Sequence, residues 1–133
     1  MSGLPDSLAE RLVTAAEAAR EHAHAPYSNF AVGAAVIGGS GAVFAGCNVE
    51  NASYGLSVCA ERNAVAAAVA AGEKTLKAMA VVTGTSPPTT PCGACRQVLA
   101  EFGDFAILLA NPEGERRITS VSGLLPEAFK LSP

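Results

Sequence analysis

Apolar positions in this chain fall into blocks of distinct period. Over residues 6–24, Leu8, Leu12, Ala15, Ala16 and Ala19 recur at helical spacing, with Asp6 or Ser7 placed to cap the start and Pro26 to end it. Residues 30–37 and 42–49 are two β-type runs on either side of Gly38-Gly39-Ser40-Gly41, the signature of a hairpin. Residues 51–58 have loop composition. An Ala-rich helix follows over 59–71, closed by Gly72. The short apolar run 79–83 predicts a buried strand, and 84–91, with three prolines, a loop. A second helix starts at Cys92 or Gly93 and runs to Phe102, with Gly103 as its stop. Residues 105–110 form another strand, Asn111-Pro112-Glu113-Gly114 a turn, and 117–120 an edge strand that pairs back. The order helix, hairpin, helix, strand, helix, strand, strand predicts an α/β fold, a mixed sheet covered by helices on both faces.

Length and composition narrow the function. At 133 residues the chain fits one domain, and half of its residues are apolar. That leaves apolar surface for subunit contacts and favours a homo-oligomer. The net charge of −3 and the lack of a basic stripe disfavour a polymeric nucleic-acid partner. The N-terminal residues carry no secretory pattern. The longest apolar run, 64–71, falls far short of the ~20 residues of a membrane span. A soluble, cytoplasmic protein is expected, in which cysteines serve as ligands or buried thiols rather than disulfides. The Gly-rich 38–41 turn lacks the following Lys-Ser/Thr and helix of a phosphate cradle. His22 and His24 do not share a helical face and are expected to be solvated.

Three cysteines belong together. Cys92 and Cys95, three apart at a helix start, can share a face, and Cys59 opens the other helix. Helix N-termini favour thiolates, so two of them meeting could offer three thiolates to one zinc ion and leave the fourth position open. Three thiolates and Zn2+ sum to −1, which would oppose acidification of a bound water. Arg62 is placed to draw charge from the sulfurs. Glu61, two residues after Cys59, is placed as a proton shuttle, and Cys59-Ala60-Glu61 with Pro91-Cys92-Gly93-Ala94-Cys95 is the zinc-deaminase pattern. The same cysteines allow a redox pair, or a closed structural site completed by Cys47. Cys47 sits in a strand pattern and is read as a small buried apolar residue.

Phe30-Ala31-Val32-Gly33-Ala34-Ala35, Asn48-Val49-Glu50-Asn51-Ala52-Ser53-Tyr54-Gly55, Cys59-Ala60-Glu61-Arg62 and Pro91-Cys92-Gly93-Ala94-Cys95-Arg96-Gln97 resemble the small homotetrameric cytidine deaminases. The resemblance runs from Pro26 to Phe129. It implies a three-layer α/β/α cytidine deaminase-like fold with a five-stranded mixed sheet, and one zinc per subunit on Cys59, Cys92 and Cys95. It implies Glu61 as the catalytic proton carrier, Asn48 and Glu50 on the ribose hydroxyls, Phe30 against the pyrimidine and the Ala60 backbone on the base edge. Tyr54 and Phe129 match positions of sites shared between subunits, although Phe129 could simply anchor the tail. The implied reaction converts cytidine and 2′-deoxycytidine to uridine and 2′-deoxyuridine with release of ammonia, in pyrimidine salvage. An antibiotic deaminase of the same fold, an editor of cytosine in nucleic acid and a non-catalytic zinc module are the rival readings.

Overall fold

The computed structural model describes residues 4–131; Met1, Ser2 and Gly3, part of the N-terminal stretch read above, lie outside it, as do Ser132 and Pro133. Helix α1 (Asp6–Arg20) buries Ala9, Leu12, Val13 and Ala16 as one stripe. Pro5 is its N-cap, extended at ψ 146°, and its carbonyl accepts the Ala9 amide at 2.9 Å. Asp6 and Ser7 therefore lie inside the first turn rather than capping it, and Asp6 places negative charge at the positive end of the helix. The helix also stops four residues before the sequence pattern does. His24 is taken by another partner: its amide donates to Asn48 O at 3.0 Å and its carbonyl accepts the Glu50 amide at 2.8 Å, a bridge parallel to Val49. His22 and His24 are both exposed.

Strand β1 (Val32–Gly38) is buried along its whole length, as a central strand covered on both faces must be. It pairs antiparallel with β2 (Val43–Cys47) and with β3 (Leu76–Thr83). β3 runs parallel to β4 (Ala106–Ala110), which pairs antiparallel with β5 (Arg116–Ser120). The order is β2-β1-β3-β4-β5. β3 starts three residues before the apolar run suggests, because exposed Lys77 interrupts the run while its backbone stays in the strand beside buried Leu76 and Ala78.

Alternate residues of these strands feed two cores. Ala35, Ile37, Ala78, Ala80, Val82 and Leu108 meet α1 on one face. Val36, Met79, Val81, Ile107 and Leu109 meet α2 (Ala60–Ala70) and α3 (Gly93–Ala100) on the other. This is the three-layer α/β/α arrangement. Gly72, at φ +101°, turns the chain out of α2 in the left-handed region where glycine costs least. The Ala-rich stretch of α2 packs on the sheet through Ala64, Val65 and Ala68 and leaves Ala66, Ala67, Val69 and Ala70 exposed. A short helix, α4 (Val121–Leu124), follows β5 and has no counterpart in the sequence reading.

Gly46 on β2 sets the depth of α2. A Cβ there would lie 2.6 Å from the Ala64 amide nitrogen and 2.9 Å from the Asn63 carbonyl carbon, both backbone atoms that cannot swing aside. Asn63 Nδ2 donates to Cys47 O at 2.8 Å and fixes the register of the contact. Gly46→Ala is expected to cost about 2 kcal/mol by overpacking. A lower urea midpoint at unchanged m-value is the readout; an unshifted midpoint would show that the contact yields freely.

Candidate active site

Cys59 is the N-cap residue of α2 and Cys92 that of α3, so the thiols stand where the unpaired amides and partial positive charge of each helix converge. Cys95 lies one turn into α3, fully buried. The three sulfurs lie within 4.8 Å of one another, with Cys59 and Cys92 Sγ 3.6 Å apart and Cys92 and Cys95 Sγ 3.4 Å apart. Tetrahedral zinc with Zn–S near 2.3 Å needs sulfurs about 3.8 Å apart, so the donor set fits a zinc ion after small adjustment. Cys47 stands apart on β2, and among the described residues no fourth histidine, cysteine or carboxylate joins the cluster.

Charge at the cluster favours a thiolate at Cys59. Hydrogen bonds from the Cys95 thiol, from Arg62 and from Cys92 hold the Cys59 thiol down to about 5, against the opposing effect of burial. Hydrogen bonding to Cys59, followed by burial, raises the Cys95 thiol. Arg62 Nη2 donates to Cys59 Sγ at 3.7 Å and to Ser57 O at 3.3 Å. Its buried Nε has no partner among the described residues.

Glu61 is 5% exposed on the first turn of α2, and burial pushes its carboxyl up to about 7, with the nearby Cys59 charge adding to the effect. It opens into a pocket of about 220 Å³ that Cys59 and Cys92 also line. Phe30, Asn48 and Ala60 share that pocket, so six of the residues singled out from sequence converge there. The Asn48 side chain is already engaged on one side: Oδ1 accepts the Val32 amide at 2.9 Å and Nδ2 donates to Phe30 O at 2.7 Å. One amide proton and one lone pair remain for a ligand.

Glu50 and Tyr54 line a second, more open cavity of about 310 Å³ with Tyr27, Ser28 and Ser57. Tyr54 is 76% exposed and meets Tyr27 edge-on at 5.9 Å between ring centroids. Hydrogen bonds from Ser28, above all its hydroxyl, hold the Glu50 carboxyl below the usual range. Phe129 lines neither cavity. It is 69% exposed beyond α3, where Gln97 Nε2 donates to its carbonyl at 2.9 Å.

Sequence reasoning missed Thr83, Thr89 and Thr90, which also line the pocket. Thr83 is 2% exposed; its Oγ1 accepts the Thr89 amide at 3.0 Å and meets Thr85 Oγ1 at 3.2 Å. Buried Asn111 ties the same loop down, donating from Nδ2 to Thr85 O at 3.0 Å. A polar residue ending a buried strand was the available signal, since a buried hydroxyl needs a partner. Arg96 donates from Nε to Pro91 O at 2.8 Å and from Nη1 to Leu124 O at 2.9 Å, joining the Cys92 loop to α4.

A cluster of three convergent thiols, two of them lining a pocket with a buried carboxylate at two helix N-termini of an α/β/α sandwich, is the arrangement of a zinc-dependent hydrolase. Comparison with known proteins gives the family. Residues 6–110 match the cytidine and deoxycytidylate deaminase zinc-binding region. A cytidine deaminase of Sporosarcina psychrophila is 48% identical over 122 residues, covering 90% of each chain. The crystal structure of the Burkholderia pseudomallei cytidine deaminase superposes with a TM-score of 0.87 at 55% identity, over 90% of this chain and 98% of that one. That of Mycobacterium tuberculosis does so with a TM-score of 0.78 at 44% identity, over 92% and 97%. The chain belongs to the cytidine and deoxycytidylate deaminase family, and zinc is its metal.

Proposed function

We propose that this chain deaminates cytidine and 2′-deoxycytidine by hydrolysis, giving uridine and 2′-deoxyuridine with release of ammonia, as a step of pyrimidine salvage. The observation that carries this reading is the shared pocket: the buried Glu61 carboxylate opens into the same small cavity as Cys59 and Cys92. Cys59, Cys92 and Cys95 hold the metal, and zinc so held supplies a water acidified toward neutral pH. Glu61 accepts a proton from the attacking water and passes it to the pyrimidine ring nitrogen, then takes the second water proton from the hydroxyl formed on the ring carbon and gives it to the departing amine. The water oxygen ends on the ring carbon that carried the amine, so atoms and charge balance. Arg62, against Cys59 Sγ, offsets the negative charge of three thiolates.

Recognition falls to the remaining residues. Ala60, at the first position of α2, has an amide with no partner inside the helix, free to read the base edge. Phe30 packs on the pyrimidine. Asn48, with one donor and one acceptor position left, and Glu50 bind ribose hydroxyls. A site that pairs hydroxyls discriminates against analogues lacking them, whose loss leaves its own groups unpaired. The acidic Glu50 and the net charge of −3 disfavour a phosphate chain and support a free nucleoside over nucleic acid.

Exposed Tyr54 and Phe129 and the exposed small residues of α2 support a homotetramer in which neighbouring subunits complete each site, Phe129 stacking on the base of a neighbour's substrate. In this reading the 133 residues act as one domain in the cytoplasm. No helix among the described residues is long and apolar enough to cross a membrane. The test is the absorbance change when purified protein meets cytidine, with and without a zinc chelator. Conversion to uridine that the chelator abolishes is expected. No turnover of cytidine by folded, zinc-loaded protein would end this reading.

A further inference from the structure

The segment that carries Phe30 is held by the two side chains assigned to the ribose, and Ser28 joins one of them, Glu50, to the Phe30 backbone. Glu50 Oε1 accepts the Tyr27 amide at 3.0 Å and the Ser28 amide at 3.1 Å, and Oε2 accepts the Ser28 hydroxyl. The same hydroxyl oxygen accepts the Phe30 amide at 3.0 Å. Between them Asn29 sits at φ +58°, a left-handed turn that asparagine tolerates better than most residues and that brings the Phe30 amide back onto Ser28. Beyond Phe30, Asn48 clamps the chain from both sides.

A carboxylate offers about four acceptor positions, and three donors from residues 27 and 28 already occupy Glu50, which leaves one for substrate. We propose that Ser28 is a positioning residue that governs KM: its hydroxyl joins the Glu50 carboxylate to the Phe30 backbone, so the group facing the ribose and the ring facing the base are held as one unit. The proposal rests on the reading of Glu50 and Phe30 as substrate-facing. Without the hydroxyl, Glu50 has a second vacant position and can rotate, and the Phe30 amide loses its partner. Substrate then has to order both at the moment of binding. Ser28 acts through Glu50, so its effect depends on the carboxylate being there.

Ser28 is exposed, and its replacement leaves the core intact. The experiment measures kcat, KM for cytidine and zinc content for the wild type, Ser28→Ala, Ser28→Thr, Glu50→Gln and the Ser28→Ala/Glu50→Gln pair. Ser28→Ala is expected to raise KM about tenfold, the scale of one charge-assisted hydrogen bond, with kcat within about threefold and zinc unchanged. Threonine keeps the hydroxyl and is expected to restore KM. In the Glu50→Gln background, Ser28→Ala is expected to add less than about twofold, because coupled sites are not additive. Full additivity, an unchanged KM, or failure of threonine to restore it would overturn the proposal. Failure of the underlying reading looks different: Glu50→Gln alone then leaves KM at the wild-type value, which overturns both.

Discussion

Glu61→Gln is expected to lower kcat for cytidine by about a thousandfold, within the range that general acid–base groups contribute, while the protein keeps its zinc. Glutamine has the size and shape of glutamate, so the pocket around Cys59, Ala60 and Cys92 is not disturbed. It cannot accept and return a proton, so the variant removes the function proposed for Glu61. Glu61 lies outside the thiol cluster, so zinc content per chain is expected to stay at the wild-type value. Stability is expected to hold or rise. A carboxylate that is 5% exposed is costly to keep ionised, and a neutral amide relieves that cost. A variant with impaired turnover, full metal and an undiminished Tm would separate chemistry from folding. Turnover within tenfold of wild type would remove Glu61 from the mechanism, and loss of zinc would make it a ligand instead.

What the sequence disclosed about this site was local. Cys92 and Cys95 share a helix start because their spacing of three puts them there, and the N-cap places of Cys59 and Cys92 follow from where two apolar periodicities begin. The two β-type runs about Gly38–Gly41 marked the β1–β2 hairpin, which forms as an antiparallel pair. Errors arose where distant segments decide. α1 ends at Arg20 because Asn48 and Glu50 take the backbone of His24, and no helical period between residues 6 and 24 records that. β3 begins at Leu76 because β1 supplies a partner opposite it, despite Lys77. The Thr83, Thr85 and Thr89 hydroxyls are adjacent only once the loop folds back, and Asn111, which holds that loop, comes from beyond β4. Phe129 is a stranger case. It is 69% exposed and does not line the Glu61 pocket of its own chain, so nothing in the local pattern marks a role for its ring.

Cys95→Ala provides the largest expected loss of stability. Cys95 is fully buried one turn into α3, and its thiol is the innermost of the three. As packing, the change removes one sulfur from a small site, worth about 1 kcal/mol. As ligation, it removes a third of the donor set, and zinc binding that exists only in the folded state stabilises that state by mass action. With free zinc about a thousandfold above its dissociation constant, that stabilisation is about 4 kcal/mol. For a domain of this size it corresponds to a fall of roughly 10 °C or more in Tm. The two contributions separate cleanly, because a chelator removes only the second. Wild-type protein is expected to lose most of the difference on chelation, whereas Cys95→Ala, already without stoichiometric zinc, is expected to shift little. Activity should vanish in both. A variant that binds one zinc per chain with wild-type affinity, or whose Tm falls on chelation as far as that of the wild type, would show that Cys95 is packing rather than ligand, and that two thiols with another donor hold the metal.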